Sequence, residues 1–334
     1  MENKKLYVKD IKDNLQVEGL FLVRDKNNGI TKNGKPYIAL NLADKTGEIK
    51  ARIWDHAEKL GSQFLQGEVV KIKAFAVLYQ GLLQLNISAI EKCIVDGSGL
   101  RDFLPASKLD PEAGFAEIMT QVSEIENEYL RKLLELIFSD HELVKAFKSA
   151  PAAKSIHHDF LGGLLEHTCN VMRLAVDMAK HYKNVNRDVL VTGAILHDIG
   201  KIYELSYEKN FDYTDRGRLI GHITLADSLI TEKIQLIPDF PVDLASVVRH
   251  IILSHHGQYE FGSPKRPKTL EALLLSYLDD IDAKMFGFAQ FIRKEKSPDT
   301  KWTSYHKLFE RYIYTSTFIE DELSGTDASD EAIP

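Results

Sequence analysis

Apolar and polar residues alternate through residues 6–95, and from Phe115 onward the apolar positions return every third or fourth residue. Val17 to Val23 reads as a first strand. Tyr37 to Ala43 puts Ile38, Leu40 and Leu42 on one face and Tyr37, Ala39 and Asn41 on the other. The next run turns Ile49, Ala51 and Ile53 inward and leaves Lys50, Arg52 and Trp54 outward. Val69 to Leu78 and Leu83 to Ile90 complete the set, each with the period-2 pattern of a half-buried strand. Asn33-Gly34 and Asp44-Lys45-Thr46-Gly47 carry turn chemistry, and Ala57 to Phe64 reads as a short helix between the third and fourth strands. Five short strands with a helix at that point predict an all-β OB-fold barrel over residues 1–95.

Asp96-Gly97-Ser98-Gly99 breaks the alternation, and residues 96–150 are expected to hold a connector and leading helices. Ile118, Val122, Ile125 and Tyr129 run on into Leu133, Leu134, Ile137 and Phe138 as on an amphipathic helix. Nearly everything from there to Ile319 reads as helical, which predicts an all-α C-terminal domain over residues 151–318. Residues 319–334 are acidic and small, and are expected to be disordered.

Composition adds that this is a globular chain of two or three domains, with 334 residues, 44% hydrophobic and 27% charged. No apolar run is long enough to span a bilayer, and the N-terminus lacks an apolar signal region. Cys93 and Cys169 are far apart, which argues against a disulfide framework and for a reducing, cytoplasmic location. The net charge of −7 is uneven: residues 1–95 hold 15 Lys+Arg against 11 Asp+Glu, or +4, leaving −11 for the remainder. That division suits a polyanion-binding module joined to a carboxylate-rich body, although ordinary variation between domains gives the same numbers. On the barrel, Tyr37, Asn41, Lys50, Arg52 and Trp54 share the outward face of the second and third strands. Rings interleaved with cations suit single-stranded nucleic acid, since bases stack while cations neutralise phosphates. The competing reading packs Trp54 against the neighbouring helix and leaves the cations solvated.

Histidine changes the picture most. Nine of the twelve lie between positions 157 and 256, and four of these sit on apolar helix faces near helix ends. His167 has Val171, Leu174 and Met178 on its face, His197 has Leu190 and Ala194, His222 has Leu225, Ala226 and Leu229, and His255 has Val248, Ile251 and Ile252. Asp279 ends the apolar run Leu270 to Leu278 and shares its face with Leu275, Asp282 and Ala283. Buried imidazoles and carboxylates without partners are costly, and a metal would satisfy all of them together. His197-Asp198 is central, because a histidine beside a carboxylate is a common ligand pair for transition metals.

In order, His167, Leu196-His197-Asp198-Ile199-Gly200-Lys201, His222, His255-His256 and Asp279 resemble the HD-domain metal-dependent phosphohydrolases, over roughly residues 151–290. With Gly162-Gly163-Leu164-Leu165-Glu166-His167-Thr168, Ser254-His255-His256-Gly257, Phe261-Gly262-Ser263-Pro264 and the preceding OB domain, most of the chain is similar to the YhaM-type 3′→5′ exoribonucleases. The resemblance implies that His167, His197, Asp198 and Asp279 hold one divalent ion and that Asp198 bridges to a second held by His222 and His255. His256 is left open between ligand and substrate contact. Asp280 is the rival of Asp279, which better fits the family's spacing to Asp282-Ala283. Manganese is the ion implied, and nitrogen-rich ligands also suit iron, cobalt, nickel or zinc. The implied reaction is two-metal hydrolysis of phosphodiester bonds in single-stranded RNA, with single-stranded DNA as a second polymer. Lys201 would reach the scissile phosphate or lie solvated at a helix end. Arg218 and Arg266 would hold neighbouring phosphates or be surface charges. His157 and His158 would line the substrate path or protonate the leaving group. The alternatives are an HD hydrolase of free nucleotides with a regulatory barrel, and a non-catalytic RNA-binding adaptor with a structural metal. Homo-oligomerisation is open, and no membrane partner is expected.

Overall fold

The alternating N-terminal residues close into a barrel. A computed structural model describes residues 6–31, 33–79, 81–95, 102–104, 106–153, 160–206, 212–295 and 300–315. Strands β1 (Gln16–Ile30), β2 (Pro36–Asp44), β3 (Gly47–Ile53), β4 (Val69–Tyr79) and β5 (Leu82–Lys92) join in the closed order β1-β2-β3-β5-β4, and helix α1 (Ala57–Gly61) lies between β3 and β4 in the chain. This is the OB-fold topology, with a parallel β3–β5 pair closing an otherwise antiparallel sheet. The alternation in β2 and β3 matches burial: Ile38, Leu40, Leu42, Ile49, Ala51 and Ile53 are all in the barrel core.

The first strand is longer than its apolar pattern suggests. Gln16 to Leu22 pairs with β4, while Leu22 to Ile30 pairs with β2 across a bulge between Val23 and Asp25. The second half is polar and exposed on one side, so backbone pairing rather than alternation extends it. The barrel meets the following segment through a buried cluster of Leu20, Leu22, Val69, Phe103 and Leu104. Asp102 adds an ion pair to Lys45 at 2.7 Å and accepts the Tyr7 hydroxyl at 3.0 Å.

The continuous apolar period from Ile118 to Phe138 is divided between two helices. Helix α2 (Pro111–Ser123) starts on Asp110, whose carboxylate accepts the Glu112 N–H, so it begins four residues before the helical period first shows at Phe115. Helix α3 (Glu128–Phe138) starts on Asn127, whose side-chain oxygen accepts the N–H groups of Tyr129 and Leu130. Ile125 stays buried across the break, which is why the period reads through it. Helices α4 (His141–Ser149), α5 (Gly163–His181), α6 (Arg187–Leu196) and α7 (Lys201–Glu204) follow. A two-stranded sheet, β6 (Leu205–Ser206) with β7 (Asp212–Tyr213), interrupts the helices before α8 (Asp215–Ile220), α9 (His222–Gln235), α10 (Val242–Ser254) and α11 (Leu270–Glu295). Every residue of α6 from Val189 to Leu196 is buried, the mark of a central helix. Among the described residues, no helix is long and apolar enough to cross a membrane.

The chain divides into two compact units, Met1–Ala283 and Lys284–Pro334. In the second, the helical reading holds to the end of α11 at Glu295 and fails over residues 301–315. Residues 301–315 form a hairpin in which Trp302 pairs with Tyr314 and His306 with Arg311. Trp302-Thr303-Ser304 and Tyr312-Ile313-Tyr314-Thr315 alternate with period 2, and Thr303, Ile313 and Thr315 are buried. The ring of His306 packs on Phe291, and Phe309 packs on Phe288. The break at residues 96–99, the histidines His157 and His158, and residues 319–334 lie outside the described residues.

Candidate metal centre

Helix α6 delivers His197 and Asp198 just beyond its last turn, in a tight connection to α7. Gly200 makes that connection fit. A Cβ there would lie 2.0 Å from the His222 carbonyl oxygen and 2.8 Å from the Ala226 nitrogen, so only glycine lets the turn sit against the start of α9. The close approach brings His222 Nε2 to 3.5 Å from Asp198 Oδ1. His167 comes from the second turn of α5, His255 and His256 from the end of α10, and Asp279 from α11.

These side chains form two groups whose ligand atoms lie within 4.8 Å of one another: His167, His197 and Asp279, and Asp198, His222, His255 and His256. Asp198 faces both. Its Oδ2 lies 3.5 Å from His167 Nε2 and 3.4 Å from His197 Nε2, while its Oδ1 lies 3.5 Å from His222 Nε2 and 3.7 Å from His255 Nε2. Asp279 Oδ1 is 3.2 Å from His167 Nε2 and 3.8 Å from His197 Nε2. Asp280 is exposed on the wall of the adjoining cavity.

Each imidazole is held from behind. The Nδ1 of His197 lies 2.9 Å from the Ala194 carbonyl, that of His255 2.7 Å from the Ile252 carbonyl, and that of His256 2.8 Å from the Phe261 carbonyl. Carboxylates take the other two: Asp282 stands 2.7 Å from His167 Nδ1, and Glu204 stands 3.1 Å from His222 Nδ1. A carbonyl or carboxylate can only accept, so this pairing places a proton on Nδ1 in all five rings and turns five Nε2 atoms toward the centre. Two of these, on His167 and His197, stand 3.1 Å apart, a contact that needs either a proton on one of them or a cation between them. Asp198 Oδ1, His222 Nε2 and His255 Nε2 are buried without any hydrogen-bond partner. Each such orphan costs about 1–3 kcal/mol. A cation at the centre would satisfy them all, and imidazole nitrogen with carboxylate oxygen is a fitting donor set for a divalent transition metal.

Burial and neighbouring charge together set the protonation states. Burial would raise the Asp198 pKa, but Lys201 and His197 outweigh it and hold the carboxyl well below its usual range. Asp279 is held down in the same way, by His167 and His197 against burial. Burial lowers His255, and burial with the neighbouring His255 lowers His256 to about 4. For His167 burial lowers the pKa, but hydrogen bonds to Asp279 and Asp282 win and raise it to about 9.

Lys201 is neither solvated nor free. It is buried, with its ammonium 2.6 Å from Asp198 Oδ2. A cavity of about 920 Å³ opens beside the cluster, lined by Lys201, His222, His256 and Asp279 among others, with Tyr213, Phe261, Tyr277 and Arg266 around it. Arg218 is not part of that lining and pairs with Asp212 on the surface at 2.9 Å. Two participants had no role in the sequence reading. Asp282 shared a face with Asp279 there, three residues on, and that spacing was the available signal. Glu204, which also accepts the His222 backbone N–H at 2.9 Å, gave none.

On the barrel, Tyr37, Arg52 and Trp54 come together. The Tyr37 and Trp54 rings stack at 5.1 Å and 29°, and the Arg52 guanidinium lies 5.7 Å from the Tyr37 ring centre. Trp54 is 44% exposed and donates from Nε1 to the Asn86 side chain at 3.1 Å, so it stacks on a strand neighbour rather than on α1. Asn41 pairs in register with Lys50, but its amide is engaged by Glu48, an acid two residues before Lys50 on the same face of β3.

The HD domain family matches residues 164–284. A protein of Shouchella clausii (strain KSM-K16) named 3′-5′ exoribonuclease YhaM is 34% identical over 270 residues, 80% of this chain and 84% of the relative. Proteins of the same name from Geobacillus sp. (strain WCH70) and Bacillus subtilis (strain 168) are 33% and 32% identical, over 93% and 91% of this chain and 96% of each relative. Among solved structures, the second OB-fold domain of replication protein A from Methanococcus maripaludis aligns with 28% of this chain at 18% identity and a TM-score of 0.23.

Proposed function

The chain belongs to the YhaM family of 3′-5′ exoribonucleases, and from that premise we propose that it shortens single-stranded RNA from the 3′ end at a two-ion centre, with the barrel face holding the strand. The observation that carries this reading is the convergence of five imidazole Nε2 atoms and two carboxylates, with Asp198 presenting one oxygen to each group. His167, His197 and Asp279 would hold one ion and His222, His255 and His256 the other, with Asp198 shared. Divalent ions at such a centre supply Lewis acidity and an activated water for in-line hydrolysis of a phosphodiester. Manganese is our choice of ion.

The chain's own residues do the rest. Asp282 and Glu204 orient the rings of His167 and His222 from behind. Lys201 fixes the Asp198 carboxylate and, as part of the cavity wall, brings positive charge to where a phosphate would sit. Arg266 and the rings of Tyr213, Phe261 and Tyr277 offer a cation and apolar surface for the terminal nucleotide. Tyr37, Trp54 and Arg52 offer the strand a stacking platform with a cation beside it.

The test is digestion of 5′-labelled single-stranded RNA with manganese, beside an Asp198→Ala variant. We expect a ladder shortening from the 3′ end that disappears in the variant. Intact RNA with turnover of free nucleotides would replace this reading with a nucleotide phosphohydrolase. RNA that is bound but never cut would leave a non-catalytic adaptor. Single-stranded DNA in the same assay settles the choice of polymer.

A further inference from the structure

The hairpin of residues 301–315 takes no part in the chemistry above, yet it holds a concentration of exposed rings. Thr303, Ile313 and Thr315 are buried, while Trp302 is 54% exposed, Tyr305 50%, Tyr312 62% and Tyr314 44%. The rings associate in pairs: Trp302 meets Tyr314 at 5.1 Å and 64°, and Tyr305 meets Tyr312 at 5.4 Å and 71°. These edge-to-face pairs leave ring faces uncovered. Exposed Lys301, Lys307 and Arg311 flank them. Residues 284–315 hold seven Lys+Arg against three Asp+Glu, directly after residues 96–283, which hold 20 against 29.

An exposed aromatic patch of this kind calls for an occupant. The charge selects it. Rings that stack bases, beside cations that neutralise phosphates, are the two elements of single-strand binding. A second copy of the chain joined symmetrically through this face would set the basic hairpin against itself. We propose that the aromatic face of this hairpin is a further binding site for single-stranded nucleic acid. That the strand is RNA rests on the exoribonuclease reading; the site itself does not.

The chain has two tryptophans, Trp54 and Trp302, so a full-length Trp54→Phe variant reports from Trp302 alone. It is titrated with a single-stranded oligouridylate whose 3′ linkages are phosphorothioates. Saturable quenching of Trp302 emission is expected, weakening as salt rises. Adding Tyr312→Ala should lower the affinity read from that quenching about five-fold or more. Unchanged emission while the unsubstituted chain degrades unprotected RNA overturns the hairpin site and leaves the exoribonuclease reading intact. Quenching with no degradation of unprotected RNA by the unsubstituted chain keeps the site and removes that reading, and the absence of both removes both. An emission shift that follows protein concentration without RNA, with a dimer in sedimentation, overturns the site in favour of a second copy.

Discussion

His167 stands between Asp282, behind its Nδ1, and Asp279, 3.2 Å from its Nε2. Burial alone would strip its second proton, but the two carboxylates raise its pKa to about 9. Without a cation the ring is therefore protonated at neutral pH, and an incoming metal must displace that proton to reach Nε2. Metal binding should release a proton at pH 7 and weaken as pH falls below about 9. Calorimetry in buffers of different ionisation enthalpy reads the release directly, and a heat independent of buffer would refute it. Asp282→Asn keeps the shape and removes the charge, so the released proton should diminish and metal affinity should fall by about 10–100-fold. Equal affinity in a folded variant would show that Asp282 is not needed to orient the ring. At this scale the histidines were legible because an imidazole on an apolar face has few inexpensive partners. Asp282 and Glu204 were not, because a carboxylate held behind a ring reads in sequence like one in solvent. His256 was left open because only the turn after α10 sets where its ring goes, and that turn depends on the Phe261 carbonyl.

The connection from α6 to α7 works as an element because of one close approach. Gly200→Ala would press a methyl against the backbone of His222 and Ala226, forcing α9 away from Asp198. We expect a loss of about 3 kcal/mol in the stability of the helical body, read from its denaturant midpoint, with weaker metal binding alongside. An unchanged midpoint would mean that the turn relaxes without cost. Long periodic elements read well from sequence: β2 and β3 bury the faces their patterns assign. Breaks inside a pattern read poorly. Ile125 keeps the apolar rhythm while the chain leaves one helix and Asn127 caps the next. The hairpin at residues 301–315 was hidden for a related reason. Its alternating runs are only three or four residues long and follow a helix, so the local period carries little weight against its surroundings.

Across the molecule, the division into a basic barrel and an acidic helical body was visible in charge and period. Their joint was not, because Phe103 and Leu104 come from the connector and bury themselves against Leu20, Leu22 and Val69 only once the barrel exists. Charge also sets an order of events. Asp198, Glu204, Asp279 and Asp282 surround the centre, and Lys201 is the ammonium paired with Asp198. Even with a proton on His167, this neighbourhood is negative before any ion arrives. Two divalent ions reverse its sign. The chain would therefore repel a phosphodiester at the proposed two-ion centre until it is loaded, which makes addition compulsory in sequence: cations first, polymer second. Mixing metal-free protein with RNA before adding the ion should give the same burst as premixing protein and ion, except for a lag set by metal uptake. A lag that lengthens with RNA concentration would reveal polymer entering first and obstructing the ions.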